Sequence, residues 1–246
     1  MAEQSVHAIV LRRRDQGESD RRLTLLCREQ GKLEAIARGS RKSGSRLAGI
    51  SEPLCEANLH LSSGPRRAYV TQAVPLQSFR ELRTDYERLT FGLALAEIVE
   101  AIAVSEQGAA ELFDLFKLSL TYLSLHENPG TCFLWSALQL MDHEGRQPSW
   151  NRCVETGVAV AENPAWVSPM VGGYLSAGAH RDAPDRFQVR AEVLLGLAAL
   201  TPLERPPAKM KFLAESIRLV YDFWVEYAHK PLPATVAVLQ SLNLVS

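Results

Sequence analysis

Long apolar segments are missing from this sequence. The longest run without a polar or charged side chain, Val193 to Leu200, has 8 residues, whereas a helix that spans a bilayer needs about 20. The first residues, Met1 to Arg14, contain Glu3 and three arginines, which is not the pattern of an export signal. We therefore expect a cytoplasmic protein without a membrane partner.

Cysteine is scarce, and no two cysteines form a CxxC pair. Widely separated cysteines argue against a disulfide framework and favour reduced thiols in a packed core. The chain has four of them: Cys27, Cys55, Cys132 and Cys153.

Catalytic signatures are also missing. The sequence contains no GxxxxGK[ST], GxGxxG, HExxH or GxSxG, so neither a nucleotide-binding loop nor a nucleophile elbow is present. Asp142, His143 and Glu144 form one compact trio of titratable groups. Consecutive positions point to different sides of a helix, so these three cannot converge on one substrate atom by themselves. We therefore expect that the protein is not an enzyme.

Charge is balanced over the chain but uneven along it. Residues 1–70 contain 13 Lys and Arg against 8 Asp and Glu, and the remainder contains 14 against 20. A basic module most often contacts nucleic acid, with an anionic membrane surface as the weaker alternative. Tyr69 is the only Phe, Trp or Tyr before Phe79. This scarcity of aromatic residues predicts that nucleic acid is bound mainly through its phosphates and without regard to base sequence.

Short stretches of alternating apolar and polar residues dominate the amino-terminal third. They predict five strands and a small barrel. Between the second and third, residues 28–31 have the length and the glycine of a hairpin loop. The polar stretch from Gly39 to Gly49 must project from such a barrel as a loop. The predicted strands are 5–12, 21–27, 32–38, 54–61 and 68–76.

Helical spacing of apolar residues replaces this alternation after Pro75. It predicts helices around residues 91–102, 112–123 and 132–141, and a long one over 210–227 that Pro231 ends. Between them, residues 146–190 are rich in Pro, Gly and short β-like pieces with no sustained period, so we interpret them as a distinct, irregular insertion.

Basic residues in the barrel segment are the best candidates for function, because guanidinium groups at strand ends and loops can follow a phosphate backbone. The loop from Gly39 to Gly49 holds three cations and no acid. The alternative interpretation is an ordinary solvated surface beside acids such as Asp15, Glu18 and Asp20. The candidate DNA-binding residues are Arg12, Arg14, Arg22, Lys32, Arg38, Arg41, Lys42, Arg46, Arg66 and Arg67.

Several short motifs follow one another in a fixed order along the amino-terminal 50 residues. They are Val10-Leu11, Gly17-Glu-Ser-Asp20, Leu23-Thr-Leu25, Gly31-Lys32, Ala37-Arg38-Gly39-Ser-Arg-Lys42 and Ser45-Arg46. In order and spacing these motifs resemble those of the bacterial recombination mediator RecO family. The resemblance continues more weakly through Leu95-Ala-Glu97, residues 145–148 and the closing helices.

This resemblance implies an α+β multidomain protein. Its parts would be a five-stranded OB-fold β-barrel for DNA binding at 1–79, an α-helical domain at 80–145 and 191–246, and an irregular zinc-finger-like insertion at 146–190. It also implies a mediator in the bacterial nucleoid. Such a protein binds single- and double-stranded DNA, RecR and single-stranded DNA-binding protein, anneals complementary strands and helps to load RecA.

The zinc site that the resemblance implies is incomplete here. Related proteins often carry CxxC followed by a second CxxC about 20 residues later, a spacing that holds Zn²⁺ through four thiolates. This chain has Cys153 with Thr156, then Ser176 with Ala179 and His180. Cys153 and His180 remain candidate ligands, with His143 or Asp182 as further ligands, although a lone Cys and a lone His are more often structural.

Two other functions remain open at this point. The chain could be a protein interaction scaffold whose arginines are ordinary surface charge, with no direct DNA contact. It could also be a metal-dependent hydrolase that uses the insertion at 146–190. Salt dependence of DNA binding distinguishes the scaffold from the mediator, and metal analysis addresses the hydrolase.

Overall fold

The structure, a computed structural model, describes residues 3–63, 67–105, 107–179 and 183–242. It has two compact units, Met1–Leu125 and His126–Ser246. The three-part division predicted above stays a prediction. None of the helices in these described ranges has the length and apolar character needed to cross a membrane.

The first unit is built on five strands: β1 (Glu3–Gln16), β2 (Asp20–Cys27), β3 (Gly31–Ala37), β4 (Glu56–Ser63) and β5 (Ala68–Gln77). They form a closed barrel with the strand order β1-β2-β3-β5-β4. Neighbouring strands pair antiparallel except β3 and β5, which pair in parallel through Ala35–Ala68 and Ile36–Tyr69. The predicted five-stranded OB-fold barrel is therefore confirmed.

Alternation along each strand separates an apolar interior from an outer face. On β2, for example, Leu23, Leu25 and Cys27 belong to the barrel core. Strand β1 has a bulge between Val10 and Arg12, where the register against β2 shifts. A bulge bends its strand and re-aims the residues beyond it.

Four helices complete the first unit: α1 (Leu47–Ile50), α2 (Arg80–Thr84), α3 (Tyr86–Ile102) and α4 (Ala110–Leu125). The Asp85 side chain caps α3 by accepting hydrogen bonds from two backbone amides of its first turn. The buried carboxylate of Glu56 on β4 joins barrel and helix, because it accepts from His7 Nε2 and from Lys117 Nζ of α4, each at 2.7 Å.

The β2–β3 hairpin lies against the connection between α3 and α4. The Lys32 amide donates to the Val104 carbonyl oxygen at 2.8 Å. A Cβ atom on Gly31 would lie 2.2 Å from the same oxygen, so only glycine permits this approach. The hairpin loop is thus a packing contact within the unit.

The second unit combines helices with a small sheet. Its elements are α5 (Pro129–His143), β6 (Ala165–Ser168), β7 (Gly173–Leu175), β8 (Phe187–Val189), α6 (Ala191–Leu200), α7 (Leu213–Ala228) and α8 (Pro233–Ser241). Helix α5, capped by Asn128, is buried along most of its length and packs against α7. The segment 146–190, predicted to be irregular, contains the sheet, whose strand order is β7-β6-β8.

Candidate nucleic-acid interface

Strand register places several of the predicted cations side by side on the outer face of the barrel. Arg14 of β1 is the register partner of Arg22 on β2, and Arg22 is the partner of Ile36 on β3. Ile36 is in turn the partner of Tyr69 on β5. We call these four residues the outer row. Three strand spacings of about 4.8 Å give it a length of about 14 Å.

A second line of residues runs beside the outer row. Arg12, Thr24 and Glu34 are register partners across β1, β2 and β3. A shallow cavity of about 90 Å³ lies between the two lines and is lined by Arg12, Arg14, Arg22, Thr24 and Glu34. Three guanidinium groups and one carboxylate therefore face a single depression in the barrel surface.

Ion pairs within the protein occupy some of these cations. The Arg22 guanidinium pairs with Glu34, and that of Arg12 pairs with Glu100 of α3. Lys32 Nζ donates to the Glu100 carbonyl oxygen at 3.0 Å. Arg12 and Lys32 thus attach the barrel to α3, and their predicted contact with DNA stays a prediction.

The loop that carries Arg41, Lys42 and Arg46 is anchored to the turn between β1 and β2. Asp20 Oδ1 accepts a hydrogen bond from the Gly39 amide at 2.8 Å and one from the Ser19 hydroxyl at 3.0 Å. The Gly39 hydrogen bond is the main reason that the pKa of Asp20 lies below its ordinary value, and the charges of Arg38 and Lys42 lower it further. The carboxylate is therefore ionised at neutral pH.

Arg41 belongs to the same anchor. Its backbone amide donates to the Ser19 carbonyl oxygen at 2.9 Å, and its guanidinium donates to the Gly17 carbonyl oxygen at 3.1 Å. Arg41 Nε also lies 3.5 Å from Asp15 Oδ2. The predicted loop ends earlier than Gly49, because residues 47–50 form helix α1, whose Ile50 enters the barrel core.

The remaining cations of the prediction point to solvent. Within the described ranges, none of them has a hydrogen bond or an ion pair within 4 Å through its charged group, although the charges of Arg38 and Lys42 act on Asp20 and Arg38 lies over the ring of Tyr69. Arg66 lies outside the described residues. The exposed cations are Arg14, Arg38, Lys42, Arg46 and Arg67.

Two residues of this surface were not predicted from the sequence. By sequence alone, Asp20 is one of several surface acids, although it belongs to the motif Gly17-Glu-Ser-Asp20. By the same criterion, Tyr69 indicates only that aromatic residues are scarce. In the structure the guanidinium carbon of Arg38 lies 4.1 Å from the centre of the Tyr69 ring. The sequence signal for this contact is a basic residue directly after one strand and a lone aromatic residue near the start of another.

The described residues around Cys153 do not fit the implied zinc site. Cys153 Sγ accepts hydrogen bonds from the amide and hydroxyl of Ser176 at 3.3 and 3.4 Å, and the hydroxyls of Thr156 and Ser176 lie 3.3 Å apart. The chain as described brings no three His, Cys, Asp or Glu residues together as a metal-binding group. His180 and Asp182 lie outside the described residues.

Hydrogen bonds also set the acidity of Cys153. Burial of the thiol raises its pKa, but the side-chain and backbone hydrogen bonds from Ser176 and Thr156 outweigh burial and lower the pKa to about 7. Hydroxyl groups thus surround the sulfur where a zinc site would need further thiolates.

The second unit contains a groove between the insertion and α7, with a volume of about 520 Å³. Its apolar lining includes Phe187, Val193 and Leu219. Two arginines border it, Arg190 and Arg218, and each is paired with an acid of α7 at 3.1–3.2 Å. Such a groove is suited to a short peptide that carries apolar and acidic side chains.

Comparisons with known proteins point to one family. Residues 1–79 match the model described as "Recombination protein O N terminal", and residues 83–234 match "Recombination protein O C terminal". A protein of Nocardioides sp. named "DNA repair protein RecO" is 31% identical over 240 residues, which cover 94% of this chain and 97% of that protein.

Two further relatives bear the same name. The Myxococcus xanthus protein is 31% identical over 217 residues, 88% of each chain. The Heliobacterium modesticaldum protein is 40% identical over 173 residues, which cover 68% of this chain and only 62% of that longer protein.

Proposed function

The chain belongs to the RecO family, and from that premise we propose that it binds DNA through its barrel as a mediator of homologous recombination. Membership of the family supports a role in DNA repair. The finer activity, the partners and the absence of catalysis are our proposals. We propose that the protein holds and aligns DNA strands and does not transform a substrate.

The single observation that supports this most strongly is the arrangement of cations on the barrel. Arg14 lies in the outer row, and Arg38, Lys42 and Arg46 follow in the loop anchored by Asp20. Each can neutralise a phosphate without first breaking an ion pair. Contacts of this kind position a nucleic-acid backbone without reading its sequence.

Annealing of complementary strands follows from the same chemistry. Phosphate repulsion opposes the approach of two strands, so a protein that neutralises their backbones and leaves the base edges accessible lowers that barrier. No phosphate-binding loop occurs in the sequence. We therefore propose that annealing needs no ATP.

Protein partners would extend this activity to coated DNA. We propose that the groove beside α7 receives the acidic, apolar tail of single-stranded DNA-binding protein, and that RecR joins the complex, which helps RecA onto the strand. An acidic side chain of the tail would replace Glu215 as the partner of Arg190, while apolar side chains of the tail would contact Phe187 and Val189. A labelled tail peptide should bind saturably at micromolar concentrations, and Phe187→Glu, at a partly exposed position of the lining, should abolish the binding.

The scaffold hypothesis is the alternative, since it explains the same arginines as surface charge. Titration of labelled single- and double-stranded DNA at several salt concentrations distinguishes the two. We expect log K to fall linearly with log salt, by about 0.7 per neutralised phosphate on single strands and about 0.9 on duplex. Absence of DNA binding at low salt would favour the scaffold.

A further inference from the structure

Tyr69 lies on the outer face of the barrel beside the end of β3. Its neighbours on β5, Ala68 and Val70, contact the barrel core, so alternation places the Tyr69 side chain outside. On β3 the core positions are Ala35 and Ala37, and Arg38 follows directly after the strand. The parallel pairing of β3 with β5 therefore brings Arg38 next to Tyr69.

The Arg38 guanidinium covers the Tyr69 ring, with 4.1 Å between its central carbon and the ring centre. The ring is half-buried, whereas Arg38 is exposed. Because the planar guanidinium of Arg38 lies over the ring and Arg38 is itself exposed, the side of the group away from the ring is open to solvent. Arg38 is thus held in place as a flat, positively charged surface at one end of the outer row.

We propose, on the basis of the DNA-binding role above, that Arg38 stacked on Tyr69 is a platform for one unpaired base and makes the protein prefer single-stranded to duplex DNA. Bases stack on aromatic rings and on guanidinium planes in a sequence-tolerant way. A duplex hides the faces of its bases between neighbouring pairs, so only a single strand can use the platform. The backbone of the same strand would continue toward Arg22 and Arg14.

Stacking and charge make different predictions about salt. A phosphate contact releases counterions, so its loss lowers the salt slope, whereas loss of a stacking contact leaves the slope unchanged. Removal of the platform should therefore lower the affinity for single strands only and leave the slope of log K against log salt unchanged. A surface that acts by charge alone predicts parallel losses on both forms of DNA.

The experiment measures binding of a 20-nucleotide strand and of its duplex by the full-length protein at three salt concentrations. We expect Tyr69→Ala to lose about tenfold in affinity for the single strand, with the duplex affinity and both slopes unchanged. Tyr69→Phe should retain the wild-type affinity, because the ring is kept. Arg38→Lys keeps the charge but not the plane, and should lose affinity for the single strand without a change in slope.

A single strand that contains 2-aminopurine provides a direct readout, because neighbouring bases quench the fluorescence of this base and a base held on a guanidinium plane has left their stack. The fluorescence should rise with wild type and Tyr69→Phe and stay unchanged with Arg38→Lys. Because Arg38→Lys leaves the ring in place, it keeps the test valid if Tyr69→Ala fails to fold. Equal losses on single strand and duplex, or no loss in any variant, would overturn the platform. If wild type binds neither form, the proposed function itself fails.

Discussion

The carboxylate of Asp20 accepts a hydrogen bond from the backbone amide of Gly39 at 2.8 Å. This contact ties the turn between β1 and β2 to the first residue of the loop that carries Lys42 and Arg46. An acid thus holds the loop of a basic surface in place, so we expect its removal to weaken DNA binding, although the loss of its negative charge alone would strengthen that binding.

Asp20→Ala tests this relationship. Removal of one negative charge near the proposed interface should by itself strengthen DNA binding. Loss of the Gly39 acceptor releases the loop, and ordering the loop on DNA then costs conformational entropy. We expect the second effect to dominate, with single-strand affinity reduced about threefold to tenfold in a fluorescence anisotropy titration.

Glu18→Ala is the matched control for Asp20→Ala. Glu18 is exposed in the same turn, so its removal changes the charge without releasing Gly39. It should leave the affinity unchanged or slightly raised. If both variants bind more tightly than wild type, charge alone governs this surface and the anchor has no role.

Reversal of the loop charges tests the contribution of the exposed cations. The double variant Lys42→Glu with Arg46→Glu should weaken binding to every DNA sequence alike, because phosphate contacts carry no sequence information. Its salt slope on single strands should be flatter by about 1.4, which is about 0.7 for each lost phosphate contact. Lys209→Glu with Lys211→Glu makes the same charge change in the second unit and should retain the wild-type slope. Equal slopes for both double variants would refute the loop interface.

Glu56 offers a prediction about stability. Its side chain is fully buried and is the shared acceptor of His7 and Lys117. Glu56→Ala should destabilise the protein by about 1–3 kcal/mol, because two donors lose their partner and a small cavity opens. Urea unfolding measures the loss. Glu52→Ala, which removes a partly exposed acid that pairs with Arg13 and Arg21, should cost less, and equal costs would contradict the account.

The Cys153 environment predicts an unusual dependence on pH. The pKa of about 7 lies below the ordinary value of 9.0, so the thiolate stabilises the folded state fully above pH 9. This contribution is lost as the pH falls through 7. The difference in melting temperature between wild type and Cys153→Ser should therefore grow from pH 6.5 to pH 9. A constant difference would show that the sulfur does not titrate there.

The same site predicts the response to chelators. Because hydroxyl groups surround the sulfur, EDTA should leave the melting temperature unchanged at pH 8. The triple variant Thr156→Cys, Ser176→Cys and Ala179→Cys would supply the missing thiolates, and it should bind Zn²⁺ and melt at higher temperature with zinc than without. Zinc bound in stoichiometric amount by the wild-type protein and lost from Cys153→Ser would instead identify Cys153 as a ligand.

Local patterns in the sequence predicted much of the fold. Alternation placed the five strands to within a few residues, and apolar spacing located α3, α4, α5 and α7. In each case the signal is the periodicity of burial on one face. In the insertion the sequence indicated only short β-like pieces and not a defined sheet, because the strands there have three or four residues, too few to establish a period.

The functional surface was harder to predict than the fold. Which cations are exposed depends on pairings between distant positions, such as Arg12 with Glu100 and Arg22 with Glu34. Neither pairing follows from local pattern, and neither does the register that aligns Arg14, Arg22 and Tyr69. Charge counts identified the basic segment, but they did not indicate which of its residues lie side by side on the surface where we propose that DNA binds.

Strand annealing without nucleotide tests the central proposal most directly. Two complementary fluorescent strands are mixed with wild-type protein or with the Lys42→Glu, Arg46→Glu variant, at low and moderate salt and without ATP. We predict that wild type accelerates pairing, that the variant does so much less, and that the acceleration declines as salt rises, although salt alone helps naked strands to pair. Pairing no faster with wild-type protein than without it, or faster only when ATP is added, would contradict the account.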